Sequence, residues 1–408
     1  MIDFFNAVDD VTGGQYKVLK RDYLSEGRIP VIDQGHTFIA GYANNDDAIF
    51  NGKLPVVLFG DHTLVLKYVD FPFALGADGV KVLSINNSHV PKYVYYYWQS
   101  CDIQSRGYSR HFKYLRDIQI PLIPISEQRR IVEILDQADA LRKKRAEADA
   151  KAARILPSLF YKMFGDPATN MNEGKWSLKR IGAVADISYG LADRLDTGLK
   201  AEEGTRIITI SNVTINGEVN NAVARYTKAD NAMLKKARLK NDDLLFNWRN
   251  GSKEHIGKTA IWENNWSGDV LHVSFLLRIR ANKEQIEPYY LWVLINLLRF
   301  GGFFTAQSRM QINNKFNASE LSNLIIPVPP LELQSVFKEK LLFLRETARM
   351  NTEASLKINN LFDTLLHQAF TGGLTAKWRE AHMKKLLAEM EMQSKALGYT
   401  NYSKGSVT

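Results

Sequence analysis

Two short segments carry side chains suited to reading a nucleic acid. One is Gln104-Ser-Arg106-Gly-Tyr108-Ser-Arg110-His111-Phe-Lys113; the other is Gln307-Ser-Arg309-Met-Gln311-Ile-Asn313-Asn314-Lys315. Arginine matches the edge of guanine, asparagine and glutamine match adenine, and lysine meets backbone phosphate. The candidate DNA-binding residues are Arg106, Tyr108, Arg110, His111 and Lys113 in the first segment. In the second they are Gln307, Arg309, Gln311, Asn313, Asn314 and Lys315. The competing reading is a pair of solvated polar loops.

Catalytic patterns are missing from the sequence. Gly251 to Thr259 looks like a phosphate-binding loop, but five residues separate Gly251 from Gly257 where four are needed to wrap a phosphate. The residues that follow, Ala260-Ile261-Trp262, predict a strand, so no helix N-terminus would face an anion. This segment is expected to be a turn between strands. There is no dinucleotide fingerprint and no His-Glu-x-x-His pair. The Asn/Asp-Pro-Pro-aromatic tetrapeptide of adenine methyltransferases is absent, as is the Pro-Asp…Glu-x-Lys pattern of many nucleases. The eight histidines stand apart, without metal-ligand spacing, and the single cysteine, Cys101, excludes a disulfide framework or a Cys-rich zinc site. The sequence therefore predicts a chain with no catalytic residue, no metal site and no cofactor of its own.

The elements that must position the two segments come from an internal repeat. With an offset of 206 residues, Pro121, Pro124 and Gln128 fall on Pro327, Pro330 and Gln334. Without a gap, Leu135, Leu159 and Phe164 fall on Leu341, Leu365 and Phe370. Upstream, Arg28-Ile29-Pro30-Val31-Ile32 is similar to Arg206-Ile207-Ile208-Thr209-Ile210, and Val57-Leu58-Phe59 to Leu244-Leu245-Phe246. Each half is a variable globular part, then a proline-rich lead-in, then a long helix. The two polar segments lie at the same place in this repeat, just before the lead-in.

Apolar spacing predicts the helices. After Pro124, Ser126 is available as N-cap, and Ile131, Ile134, Ala138, Leu141, Ala148, Ala152, Ile155 and Leu159 recur in steps of three and four, up to Phe164 before Gly165. The second copy reads Phe337, Leu344, Ala354, Ile358, Leu361 and Leu365, and stops at Thr371-Gly372-Gly373. At about 38 residues each helix would be roughly 55–60 Å long. Such a stripe is too long for one small domain to bury, and two duplicated helices favour antiparallel pairing. Arg145 and Asn351 fall at equivalent places and would form a polar layer that fixes register. The alternative is that Arg145 snorkels outward. The globular parts predict mixed α/β structure. Strands are expected at 206–210, 243–247, 257–261 and 273–279, with buried helices from Pro288 and Pro91. The stretch from Ala376 to about Leu397 is helical and charged; Trp378, Leu386, Leu387 and Met390 are available for docking.

Composition sets the frame. The chain has 408 residues, a net charge of +9, 45% hydrophobic and 24% charged residues, which excludes disorder as the main state. The positive balance favours a polyanionic partner. No signal peptide is visible, and the longest apolar run, Tyr289 to Leu298, is about half of what a bilayer needs. A cytoplasmic location is expected.

These residues resemble a known family. Ile120-Pro-Leu-Ile-Pro-Ile-Ser-Glu-Gln-Arg-Arg-Ile-Val-Glu-Ile-Leu-Asp136, followed by Leu141-Arg-Lys-Lys-Arg145, is similar to the first conserved region of type I restriction-modification specificity (S) subunits. Ile326 to Gln334 and Leu361 to Thr371 resemble the second. The similarity covers about residues 10 to 373. It departs at Leu333, which stands where Glu127 would repeat, and in a first target domain that is the shorter of the two.

The resemblance implies an α/β (mixed α+β) fold with two similar target-recognition domains separated by two long helices packed as an antiparallel coiled coil. The expected boundaries are target domain 1 at 1–123, conserved helix 1 at 124–166, target domain 2 at 167–328, conserved helix 2 at 329–373 and a helical tail at 374–408. Each target domain would read half of a bipartite double-stranded DNA site. The helices would set the spacer and dock two modification (methyltransferase) subunits, which motor-nuclease restriction subunits would join. S-adenosylmethionine, ATP and Mg²⁺ would belong to those partners. A stand-alone DNA-binding protein with a coiled-coil spacer is the alternative.

If the second segment reads bases, replacing Arg309 or Gln311 by alanine should cost about 1–3 kcal/mol of discrimination per lost bidentate contact. The loss should fall at one half-site alone. Selection from a randomised duplex library measures this, and equal loss over both half-sites would contradict a local reading role.

Overall fold

The computed structural model describes residues 1–76, 79–105, 107, 109–167, 174–192, 198–221, 223–264, 266–307 and 314–396. The chain divides into two units, Met1–Glu147 with Glu353–Thr408, and Ala148–Thr352. No helix among the described residues is long and apolar enough to cross a membrane.

The first unit builds strands β1 Val8–Asp10, β2 Ile29–Ile32, β3 Gly41–Ala43, β4 Val56–Gly60, β5 Leu66–Val69, β6 Ala74–Leu75 and β7 Val80–Ile85. Helices α1 Pro91–Ser100, α2 Phe112–Arg116 and α3 Ile125–Ala152 follow. An antiparallel sheet runs β1-β7-β4-β5, and a smaller sheet runs β3-β2-β6, with β2 antiparallel to β3 and parallel to β6. The unbroken apolar run of β4 is explained by burial on both faces. Val57 and Phe59 join the core with Val94 and Trp98 of α1, while Val56 and Leu58 join Ile32 and Leu75 of the small sheet.

The second unit repeats this plan with additional strands. Its elements are α4 Ile155–Phe164, β8 Ser177–Arg180, α5 Ile181–Val184, β9 Ala185–Tyr189, β10 Thr205–Ile208, β11 Tyr226–Thr227, α6 Asn231–Ala237, β12 Leu244–Asn247 and β13 Arg249–Asn250. Then come β14 Thr259–Ile261, β15 Val270–His272, β16 Leu276–Ala281, α7 Pro288–Phe300, α8 Phe303–Gln307, β17 Asn314–Lys315, α9 Ala318–Asn323 and β18 Ile325–Val328. Helix α10, Leu331–Phe370, begins in this unit, and its residues from Glu353 belong to the first, as does α11, Ala376–Ala396. The large sheet runs β9-β16-β12-β14 and the small one β11-β10-β15, again with one antiparallel and one parallel pairing. The strand orders of the two units are the same. Again the central strand is buried on both faces: Leu244 and Phe246 pack with Trp292 and Ile295 of α7, and Leu245 with Ile208.

One residue ties each head to its long helix. Gln128 is fully buried; its Oε1 accepts from the Val90 N–H at 2.7 Å and its Nε2 donates to Ile123 O at 2.8 Å. Gln334, also fully buried, accepts from the Glu287 N–H at 2.8 Å and donates to Pro329 O at 2.6 Å. Val90 and Glu287 are the N-cap residues of α1 and α7, and each precedes a proline at the first helical position. The lead-in carbonyls receive donors too: Pro121 O lies 3.1 Å from His89 Nε2, and Pro327 O accepts from the Tyr290 hydroxyl at 2.9 Å. Since a carbonyl only accepts, His89 carries its hydrogen on Nε2. Burial pushes its pKa down to about 4, against the hydrogen bond, so the ring is neutral.

Each unit contains an antiparallel helix pairing. In the first, Glu127 meets Thr375 while Arg142 lies 4.0 Å over the Phe362 ring. In the second, Phe164 sits 5.2 Å from Phe337 while Ile155 and Leu344 line one groove. The expected seam needs three corrections. Leu141, Ile155 and Leu361 are 48%, 48% and 49% exposed. The buried positions are Ile131, Leu135, Phe362, Leu366 and Ala369 in the first unit and Phe160, Phe164, Phe337 and Leu341 in the second. These recur mainly in steps of four and join the core of the adjoining head. A straight helix of 3.6 residues per turn drifts from a 3.5-residue stripe, and the head core captures the drifted face. Ile134, Arg145, Leu159, Leu344, Asn351, Ile358 and Leu365 are half-buried.

Nor is the first helix continuous. It breaks between Ala152 and Ile155. Pro157 is the cause: it has no N–H to give Ala153 O, and its ring crowds that carbonyl. At the equivalent place α10 has Asp363 and runs 40 residues unbroken.

The tail docks. Leu386 is 3% exposed, and the Glu389 carboxylate accepts from the Ser126 N–H at 3.0 Å and its hydroxyl at 2.8 Å. Ser126 is therefore not the cap of α3, as expected; it lies inside the first turn and is itself capped by Glu389. Glu127, 3% exposed, accepts from Thr375 Oγ1 at 2.6 Å and pairs with Arg379 at 3.3 Å. Leu387 is 59% exposed and takes no part in the docked face.

Two outcomes follow from these contacts. Gln334→Leu orphans a backbone N–H and a carbonyl, each worth about 1–3 kcal/mol when buried. Urea unfolding should show that loss, and an unchanged midpoint would refute the tie. Glu389 has a pKa below the usual carboxylate range: burial raises it, but the Ser126 donors with Lys385 and Arg129 outweigh burial. A lowered folded pKa gives stability that is present above the ordinary carboxylate value and lost as pH falls through the lowered one. The gap in stability between the unaltered chain and Glu389→Gln should therefore be open at neutral pH and closed in acid.

Candidate nucleic-acid interface

Both heads end their central strand in a polar turn, and the predicted segments meet it there. In the first unit β4 gives way to Asp61-His62-Thr63. Asp61 is 6% exposed; its carbonyl accepts from the His111 N–H at 2.9 Å and its Oδ1 from the Phe112 N–H at 2.8 Å, at the start of α2. The turn thereby holds the end of the segment 104–113.

Arg110 is exposed and lines a cavity of about 360 Å³ with Lys17, His62 and Lys81. Asp61 also lines it, and Lys81 pairs with Asp10 at 2.9 Å, so the balance there is cationic. That suits a phosphate oxygen or the acceptor edge of guanine. Lys113 is exposed, its ammonium 4.9 Å from the Tyr114 ring. Arg106 and Tyr108 lie outside the described residues.

His111 requires a correction. Its ring is fully buried, with Nδ1 3.0 Å from Asp61 O and Nε2 3.3 Å from Ser109 Oγ. Both nitrogens are engaged inside the protein, so His111 locks the segment to the turn and offers nothing to a base.

In the second unit Gln307 closes α8 and is exposed. Arg309, Gln311 and Asn313 lie outside the described residues. The backbones of Asn314 and Lys315 form β17, which pairs antiparallel with β13: Arg249 faces Lys315 and Asn250 faces Asn314. Lys315 is half-buried. The ribbon is rooted by Trp248, whose Nε1 donates to Ser274 O at 2.7 Å and whose carbonyl accepts from the Phe316 N–H at 2.8 Å.

This ribbon brings Arg249 and Asn250 to the predicted segment, and sequence reasoning missed both. The signal was available. Arg249 follows Leu244-Leu245-Phe246 at the distance at which His62 follows Val57-Leu58-Phe59, so the repeat itself marks the turn. Arginine and asparagine side by side can address guanine and adenine. Among the described residues no group of three or more His, Cys, Asp or Glu could hold a metal ion.

The family model described as the type I restriction modification DNA specificity domain matches residues 3–149 and 173–359. Over 183 residues the chain is 28% identical to a type I restriction enzyme specificity subunit of Escherichia coli, covering 42% of this chain and 44% of that one. Over 179 residues it is 34% identical to the putative type I restriction enzyme MjaX specificity subunit of Methanocaldococcus jannaschii, covering 43% and 41%. The chain spans less than half the length of either relative. A crystal structure of a type I restriction-modification S subunit from M. genitalium shares the fold, with a TM-score of 0.55 and 14% identity, covering 89% of this chain and 93% of that one.

Proposed function

The chain belongs to the type I restriction modification DNA specificity family, and from that premise we propose that it is the DNA-reading subunit of a restriction-modification complex. Each head reads one half of a bipartite duplex site. The long helices joining the heads set the gap between half-sites and dock two modification subunits, which motor-nuclease subunits join. The subunit carries out no chemistry itself; S-adenosylmethionine, ATP and Mg²⁺ act on the partners. One observation carries this reading: two heads of the same strand order hold the end of a polar segment at the turn that follows the central strand. Repetition of the place with different residues is what reading two unlike half-sites requires.

The physical division of labour is simple. Lysines and arginines around the turns supply salt-dependent attraction to phosphate, which orients the duplex without specifying it. Arg249, Asn250 and Gln307 in one head and Arg110 in the other supply base-edge contacts.

The test uses the chain with and without modification subunits. Binding to a bipartite site is expected to tighten strongly when they are added; full affinity and selectivity without them would favour a stand-alone DNA-binding protein. Matched seven-residue insertions in α3 and α10 should then lengthen the spacer in the methylated sites and leave both half-sites unchanged. Altered half-sites with an unaltered gap would refute the spacer role.

A further inference from the structure

The loop after β2 in the first unit carries an anchor that a plain connection does not need. Lys67 of β5 is 3% exposed, and its ammonium donates to Asp33 O at 2.8 Å, Thr37 O at 2.6 Å and Phe38 O at 3.3 Å. Asp33 Oδ1 lies 3.9 Å away. Burying an ammonium is unfavourable unless every donor is met, and here all three hydrogens have acceptors. Burial pulls the Lys67 pKa below the ordinary lysine value, with Asp33 opposing.

Further bonds fix the same loop. Asp33 Oδ1 accepts from the Gly35 N–H at 2.8 Å, Gln34 O accepts from the Thr63 hydroxyl at 2.6 Å, and Gln34 Oε1 accepts from the His62 N–H at 3.2 Å. Gly79, at φ +94°, lies so close that any Cβ there would run into the Gln34 side chain. The loop is therefore wired to the turn 61–63, the turn that also holds the segment ending in Arg110 and Lys113.

What this rigid frame displays is small. His36, Thr37 and Phe38 are exposed, and the Phe38 ring, 43% exposed, rests against Phe71 at 6.2 Å. An exposed threonine and phenylalanine on a loop that Gln34 wires to the turn 61–63 suit apolar contact with the 5-methyl group of thymine, the one apolar mark in the major groove. A preordered tip loses little freedom on binding.

We propose that residues 36–38 form a second reading element of the first head, in which Thr37 and Phe38 recognise a thymine methyl. This rests on the DNA-reading role proposed above. The chain assembled with its modification subunits is tested on a randomised duplex library, unaltered and as the Thr37→Ala, Phe38→Ala double variant. The variant should lose its preference for thymine at one position of one half-site and keep the other half-site intact. Replacing that thymine by uracil, which lacks the methyl, should weaken the unaltered complex about fourfold, the worth of one buried methyl group, and leave the variant unaffected. Lys67→Met, which frees the tip without changing it, should blur the same position. An unchanged thymine preference in the double variant overturns the inference. So does equal loss at both half-sites, or unchanged selection with weakened binding of the modification subunits, which would make the tip a protein contact. If the unaltered complex selects no bipartite site, the DNA-reading role fails and the inference falls with it.

Discussion

A buried glutamine amide is the joint on which each half of the molecule turns. Gln128 and Gln334 present an acceptor to the first N–H of a head helix and a donor to a carbonyl of their own lead-in. A primary amide offers both at once from one planar group. The amide is fully buried in both places, so the four backbone groups it satisfies have no water to fall back on. Head helix, lead-in and long helix are thereby locked into one corner. The heads can then change length and loop sequence without altering how they meet the helix.

The repeat is unequal where other contacts intervene. Glu127 and Leu333 occupy equivalent places, and the structure gives the reason for the difference. Glu127 is buried against Arg379 and Thr375 beneath the tail, whereas Leu333 packs against the core of the second head. An acid is tolerated in the first site because a cation covers it; in the second a half-buried leucine gains apolar packing instead. Pro157 and Asp363 differ in the same way: one breaks its helix, the other lies in the middle of an unbroken run.

Much of this was legible in the sequence because it rests on local spacing. The offset of 206 residues, the helix stops at Gly165 and Gly372, the apolar runs of β4 and β12 and the α1–α7 equivalence all follow from residue type and period. Tertiary contacts overrode the rest. Heptad counting assigned Leu141, Ile155 and Leu361 to a seam, but the head cores draw in the neighbouring face. His111 reads as a polar recognition residue by type; only the fold brings Asp61 and Ser109 to its two nitrogens. Pro121 O and Pro327 O show the same limit, since a histidine just before α1 serves one and a tyrosine within α7 the other.

Buried cations brace loops of both heads, and their chemistry explains why. In the second unit Lys258, 9% exposed, donates to Val213 O at 2.9 Å, and Arg299, 8% exposed, donates to Ile215 O at 2.6 Å. Trp292 Nε1 adds a bond to Gly217 O at 3.0 Å. Lys67 does the same work in the first unit. In each case the acceptor is a backbone carbonyl, which every residue type possesses. A tether of that kind holds the path of a loop without constraining which side chains the loop carries. Side-chain pairs would bind path and sequence together, so that each change of letter would loosen the frame. An ammonium or guanidinium on carbonyls separates the two, at the cost of desolvating a charge. That separation is the property a scaffold needs if the same strand order is to display different reading surfaces.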